Sequence, residues 1–164
     1  DDLPACILNT IIGEPKFCGK STKIRYVGNE ALYKRNILSV TSPIKNKIIQ
    51  SWDDMLGIWH HVFNNELKVD MEQHPVLLTE PPINPKSNRE RMTQDMFEVF
   101  YVPSMYLSTQ PVLSLYGSGR ITGVVCDSGL DTTYCVPIWE GNIYPNTLKK
   151  LDFGGNNITE YLMK

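Results

Sequence analysis

The sequence has no Cys-x-x-Cys spacing, no block of like charge, no internal repeat and no low-complexity segment. Nor does any apolar run approach the ~20 residues that a membrane-spanning helix needs. Each absence excludes a class. The four cysteines, Cys6, Cys18, Cys126 and Cys135, have no zinc-knuckle or redox-pair spacing. With Cys126 and Cys135 in apolar, strand-like settings, they read as buried, reduced thiols rather than a disulfide framework. Lys and Arg number 16 against 18 Asp and Glu, for a net charge of -2; that balance leaves no basic footprint for nucleic acid and points to no membrane surface. The amino-terminal residues lack a basic region followed by an apolar core, so a soluble, reducing compartment is expected. What is present suffices for one domain, since a chain of 164 residues buries roughly two thirds of its unfolded surface.

Residues 123–137 carry the strongest local pattern. Val124, Val125 and Cys126, and then Thr132 to Val136, are rich in β-branched residues and flank Asp127-Ser128-Gly129. They predict a β-hairpin with an acidic, glycine-containing tip. Two readings of the tip stand side by side. In one, backbone N–H groups around Gly129 form an anion-binding nest while Asp127, ending an apolar strand, orients a hydrated cation. In the other, the acids and the glycine only satisfy turn geometry.

Around this hairpin the chain alternates strand and helix signals. Residues 3–12 are apolar and read as an early strand that Gly13 and Pro15 end. Gly19-Lys20-Ser21 has the end of a phosphate loop, but Glu14 stands where its first glycine is required, so an exposed loop is expected instead. Ser51 and Asp54 have capping-box spacing ahead of a stripe of Trp52, Leu56, Trp59 and Phe63. His60 and His61 are adjacent, project about 100° apart on a helix and are not a metal-binding pair. Residues 75–79 form a continuous apolar run, the pattern of a strand covered on both faces. Ser87 and Glu90 repeat the capping spacing before a helix with Met92, Met96, Val99 and Phe100 on one face. A further strand is expected at 103–107, then a helix from Pro111 that Gly117 and Gly119 end. Gln110 falls where that strand hands over to that helix, which suits either a capping amide or a group that orients water. Asn157 and Glu160 predict a last helix from Ile158.

Several of these stretches occur in an ordered series. Tyr26-Val27-Gly28-Asn29-Glu30-Ala31, Trp52-Asp53-Asp54-Met55, Ile58-Trp59-His60-His61, Glu72-Gln73-His74-Pro75-Val76-Leu77-Leu78-Thr79-Glu80, Leu113-Ser114-Leu115-Tyr116-Gly117-Ser118-Gly119-Arg120, Asp127-Ser128-Gly129 and Thr159-Glu160-Tyr161-Leu162-Met163-Lys164 together resemble actin and the actin-related proteins, from near the first residue to the last. The resemblance implies an α/β chain with a partial actin-like fold, of the type shared by actin, heat-shock chaperones and hexokinase. Two related lobes of that fold clamp ATP or ADP with Mg²⁺ or Ca²⁺, and conventional members assemble into filaments. It makes residues 1–164 a single incomplete actin-like region, mainly the first lobe. Within it lie a shortened mobile subunit-contact loop at 16–25, the second phosphate hairpin at 123–137 and the start of the second lobe at 138–164. The first phosphate hairpin and the C-terminal half are expected to be missing from it.

Carried over by position, Asp127 looks like the aspartate that holds the cation through water. Asp127, Ser128, Gly129, Leu130, Asp131 and Thr132 become the cofactor-binding hairpin, and Gln110 the catalytic glutamine that positions water. Tyr116, Gly117 and Arg120 fall at the hydrophobic partner-binding cleft, where plain helix packing is the other reading of Tyr116. The chain also departs from the family. After Asp-Ser-Gly the usual Asp-Gly-Val-Thr-His is replaced by Leu130-Asp131-Thr132-Thr133-Tyr134, Asn46 stands for an often methylated histidine, and Asn156 for an arginine. The resemblance therefore implies a cytoplasmic, cytoskeletal structural or interaction protein, filament-forming or partner-binding, with actin-like subunits or actin-binding proteins as partners. The alternatives are a nucleotide-binding ATPase, at most a weak one, or a non-polymerising scaffold subunit. ATP or ADP with Mg²⁺ or Ca²⁺ is expected if the complete protein retains the site, and no cofactor for the isolated 164 residues.

Overall fold

The computed structural model describes residues 3–16 and 25–164. Of the expected loop at 16–25, only Lys16 and Arg25 are among them; the rest, with the Gly19-Lys20-Ser21 stretch and Cys18, lies outside the described residues. The chain divides into two compact units, Asp1–Lys45 with Ile49–His74 and Asp95–Pro103, and Asn46–Ile48 with Pro75–Gln94 and Ser104–Lys164.

In the first unit, residues 3–11 form no strand; the expected early strand is β1, Ile12–Pro15 alone. Leu3 and Ile7 stand exposed, so the apolar run that suggested a longer strand has nothing to bury against. β1 is the centre of a three-stranded antiparallel sheet with β2 (Tyr26–Val27) and β3 (Leu38–Thr41), in the order β2-β1-β3. Between β2 and β3 lies the short helix α1 (Asn29–Tyr33). β4 (Ile44–Lys45) and β5 (Ile48–Ile49) pair as a short hairpin, whose residues 46–48 belong to the second unit; α2 (Trp52–His60) in the first unit runs into a π-helical stretch, His61–Leu67, ended by Lys68 in the left-handed region. Ser51 does not cap this helix as expected. Its hydroxyl donates to Asp54 Oδ2 at 2.9 Å, so the pair that spells a capping box is satisfied side chain to side chain. The core joins Ile12, Ala31 and Leu38 with Ile58, Trp59, Met71, Met96 and Phe100. Within the expected stripe only Trp59 is fully buried; Trp52, Leu56 and Phe63 are half-buried, and Ile58 takes the second core place. Phe100 meets Trp59 and Phe63 edge to face, with centroids 6.3 and 5.4 Å away.

The second unit begins with β6 (Val76–Glu80), parallel to β7 (Met105–Thr109) in the register Val76 to Met105 through Glu80 to Thr109. The two-faced burial expected of β6 is not found. Leu77 is 54% exposed, and burial alternates along the strand. Helix α3 (Lys86–Glu98) starts before Ser87, which is helical instead of capping; Met92 and Met96 are buried as their spacing predicts, whereas Val99 is exposed. Glu80 closes β6 as a buried carboxylate, 3% exposed. Arg89 grips it through Nε to Oε2 at 3.0 Å and Nη2 to Oε1, while Asn84 Nδ2 donates to Oε2 at 3.0 Å.

β7 leads directly into α4 (Gln110–Gly117), with Pro111 in its first turn. β8 (Gly123–Ser128) and β9 (Thr133–Trp139) then form the predicted hairpin, and β10 (Asn142–Ile143) and β11 (Lys149–Leu151) pair with β9. On β9, Tyr134, Val136 and Ile138 point to one face and pack on Val112 and Leu115 of α4. Each such side chain contributes roughly 1.5–3 kcal/mol by burial. The last helix, α5 (Gly155–Leu162), begins before Ile158. Asn157 lies inside its first turn and reaches back, Oδ1 accepting from Gly154 N–H at 2.9 Å, so the capping signal is real but displaced. Cys6, Cys126 and Cys135 are free thiols; contrary to the expected burial, Cys126 is exposed and the other two half-buried. Cys126 faces Cys135 across the hairpin, on the side away from the core.

Candidate functional site

The hairpin places Asp127 opposite Tyr134 and Ser128 opposite Thr133. It closes at a tip where Gly129 N–H donates to Thr132 O at 3.0 Å, with Leu130 and Asp131 between them. The Gly129 amide is consumed inside the turn, so the open anion nest anticipated there is not formed by it. The tip carbonyls meet α5 instead: Gly129 O accepts from Gly155 N–H at 3.0 Å and Leu130 O from Asn156 N–H at 2.8 Å. Those amides begin the helix and have no intrahelical acceptor, so the hairpin tip supplies one. The approach requires glycine at 154, because a methyl there would stand 2.7 Å from Gly129 O and collide with the Leu130 carbonyl.

Both acids of the tip are engaged. Asp131 Oδ1 accepts from Asn156 Nδ2 at 2.7 Å and Oδ2 from Asn46 N–H at 3.3 Å. Asp127 Oδ2 accepts from the ammonium of Lys47, an ion pair inside the second unit, to which Asn46–Ile48 belong. The Lys47 side chain is 18% exposed and that of Asp127 37%. The same ammonium lies 5.1 Å from the centroid of the buried Tyr134 ring. The sequence pattern singles out no role for Lys47, although a signal exists: Asn46 and Lys47 link the isoleucines of two short strands where a tight turn favours Asn-Gly. Both residues adopt positive φ, 51° and 63°, and a lysine held there costs of order 1–3 kcal/mol.

The hydroxyls divide. Ser128 Oγ and Thr133 Oγ1 are 2.9 Å apart, and Thr133 Oγ1 donates to Phe153 O at 2.8 Å, which makes Ser128 the donor of the first bond. Thr132 is wholly buried, and its Oγ1 has no partner among the described residues. Leu130 is exposed at the tip. This donor set does not fit a hydrated divalent cation at Asp127, because an ammonium already holds the carboxylate. Nor does it favour a phosphate at the tip, where the Asp131 carboxylate stands and the Gly129 N–H is taken.

Gln110, half-buried, is the first residue of α4 directly after β7, as its sequence position predicts. At the other end of α4 the chain closes in a Schellman motif: Arg120 N–H donates to Leu115 O at 3.2 Å and Gly119 N–H to Tyr116 O at 2.9 Å, with Gly119 at φ 73°. Tyr116, Gly117 and Arg120 are exposed there. Tyr116 remains 47% exposed, and its hydroxyl lies against Gly141, where a side chain would strike it. Gly141 N–H donates to Ile121 O at 2.8 Å, which brings exposed Ile121 to the same turn. In the first unit, His61 uses both ring nitrogens, Nε2 with Glu66 Oε1 at 3.2 Å and Nδ1 with Asn65 Nδ2 at 2.9 Å. No cluster of three His, Cys, Asp or Glu suited to a metal occurs among the described residues, nor does any helix among them have the length and apolarity to cross a membrane.

Compared with known proteins, residues 1–164 match the sequence profile of the family described as actin. A Dictyostelium discoideum protein described as actin-29 is 49% identical over 170 aligned positions, which cover the whole of this chain and 44% of that protein. The chain therefore spans less than half the length of this relative. With the profile matched from end to end and helices and sheets arranged as above, the chain belongs to the actin family and carries part of its α/β fold.

Proposed function

We propose that this chain is an actin-like cytoskeletal structural and interaction protein that binds actin-like subunits or actin-binding proteins in the cytoplasm. The supporting observation is the end of α4, where Tyr116 and Ile121 are left in water around the Gly141 turn, next to Arg120. Exposed apolar groups gathered in one place mark docking surfaces, and tyrosine and arginine are frequent anchors of them. Family membership supports this class of partner. Co-sedimentation of the full-length protein with actin filaments tests the reading: pelleting that Tyr116→Ala weakens about tenfold or more, a loss of roughly 1.4 kcal/mol, is expected. A protein that neither pellets nor retains any actin-binding partner would refute it.

A non-polymerising scaffold subunit is the second reading. It is favoured by the hairpin tip, where Lys47 pairs with Asp127 and the amides of Asn46 and Asn156 hydrogen-bond Asp131, so neither acid is left open to a nucleotide. A discrete native mass in extract, in place of an open-ended distribution, would select it. The ATPase reading, with Gln110 orienting water toward ATP and Mg²⁺ or Ca²⁺, requires a site in the longer protein, and a nucleotide-dependent rise in its melting temperature would revive it.

A further inference from the structure

We propose that Lys47 is a tethered cation: its ammonium takes the place at Asp127 that a divalent metal ion would need, and the hairpin of β8 and β9 keeps its folded form without metal. The inference is independent of the docking surface at α4. It starts from the walls of the ammonium site. Asp127 Oδ2 accepts from Nζ on one side and the Tyr134 ring faces it on another. Gly129 forms a third wall, since a methyl at that position would lie 3.0 Å from Lys47 Cε and 3.4 Å from Nζ. A carboxylate with an aromatic face suits an organic ammonium. With the ammonium in place it does not suit Ca²⁺ or Mg²⁺, which take six or more oxygen ligands, in Mg²⁺ with strict octahedral geometry. The other acid of the tip adds nothing to such a shell, because both oxygens of Asp131 are turned to Asn46 N–H and the Asn156 amide.

The backbone carries a second, separate observation. Lys47 sits at φ 63°, in a tight-turn position that glycine fills without strain. A long, charged residue held there against local preference is explained by what its side chain reaches. Charge is also matched, one ammonium to one carboxylate, and the low exposure of the lysine head strengthens their attraction relative to open solvent.

The test uses the protein with its natural sequence beside Lys47→Gly and Lys47→Met, without nucleotide. Terbium serves as the probe for Ca²⁺, since Tyr134 lies close enough to sensitise its emission. The natural protein is expected to give no tyrosine-sensitised terbium emission and the same melting temperature in chelator as in Ca²⁺. Lys47→Met should melt lower by roughly 3 °C or more in both conditions, with Asp127 left unpaired. Lys47→Gly should bind terbium at least about tenfold more tightly than the natural protein and melt higher in Ca²⁺ than in chelator. Terbium bound equally by the natural protein and Lys47→Gly, or an unchanged melting temperature in Lys47→Met, would overturn the proposal. If Lys47→Gly does not fold in either condition, Asp127→Asn decides. A loss of stability equal in chelator and Ca²⁺ upholds the tethered cation, and a loss confined to Ca²⁺ refutes it.

Discussion

Asn156 Nδ2 donates to Asp131 Oδ1 at 2.7 Å, so an amide in the first turn of α5 fastens the carboxylate at the tip of the β8–β9 hairpin. Asp131→Ala and Asn156→Ala should each lower stability by about 1 kcal/mol. Because each removes the same bond, the double variant should lose about 0.5–1 kcal/mol less than the sum, a coupling read from urea unfolding of all four proteins.

Thr132 buries a hydroxyl with no partner among the described residues. Thr132→Val keeps the shape and removes the unsatisfied group, so it should stabilise the protein by about 1 kcal/mol. A shift of the urea midpoint to higher concentration at unchanged slope would register it.

Two glycines predict opposite outcomes. Gly154→Ala drives a methyl into the Leu130 carbonyl and should destabilise by about 2 kcal/mol or more, because backbone is what must move. Gly117→Ala meets nothing within 4 Å at the end of α4 and should be neutral or stabilise by up to about 1 kcal/mol through helix propensity. Thermal unfolding of both variants separates the two cases.

Removal of the Arg89 guanidinium leaves the buried Glu80 carboxylate without its charged partner, while the Asn84 amide still donates to it. Arg89→Met should cost about 2–4 kcal/mol, somewhat less than the loss for a fully buried pair because the arginine is half exposed. Glu80→Gln in that background should recover part of the loss, and chemical denaturation of the single and double variants checks it.

Partial burial first, and the Glu66 carboxylate second, raise the pKa of the Cys6 thiol above its ordinary value. The shift favours the neutral thiol, so thiolate appears only at higher pH than for a free cysteine. Alkylation at mildly alkaline pH should be slower at Cys6 than at exposed Cys126. Glu66→Gln should speed the Cys6 reaction severalfold and move its pH profile downward, as mass spectrometry of the labelled protein would read.

Signals that depend on near neighbours were legible in the sequence. The i, i+4 spacing of Met92 and Met96 placed both in a core, and Gly119 marked the turn that ends α4. The position of Gln110 at a strand-to-helix junction followed from Pro111 and the apolar run before it. Capping spacings misled where two side chains satisfied each other. Ser51 spends its hydroxyl on Asp54, and Asn157 serves Gly154 from within the helix. At the candidate site, strand propensity made the hairpin visible, and the acids of its tip were read from position. Their partners were not legible, because Lys47 lies 80 residues from Asp127 and Asn46 lies 85 from Asp131. No local period encodes a contact of that separation. The strained turn that aims Lys47 left a trace only as a missing glycine.

The amides of Gly155 and Asn156 end on the carbonyls of Gly129 and Leu130, so α5 has its first acceptors in another element. Neither amide can exchange with solvent deuterium until the hairpin tip lifts, and the tip cannot lift without fraying the helix. The two elements therefore form one opening unit, and exchange at Gly155 and Asn156 should proceed in step with exchange at Gly129.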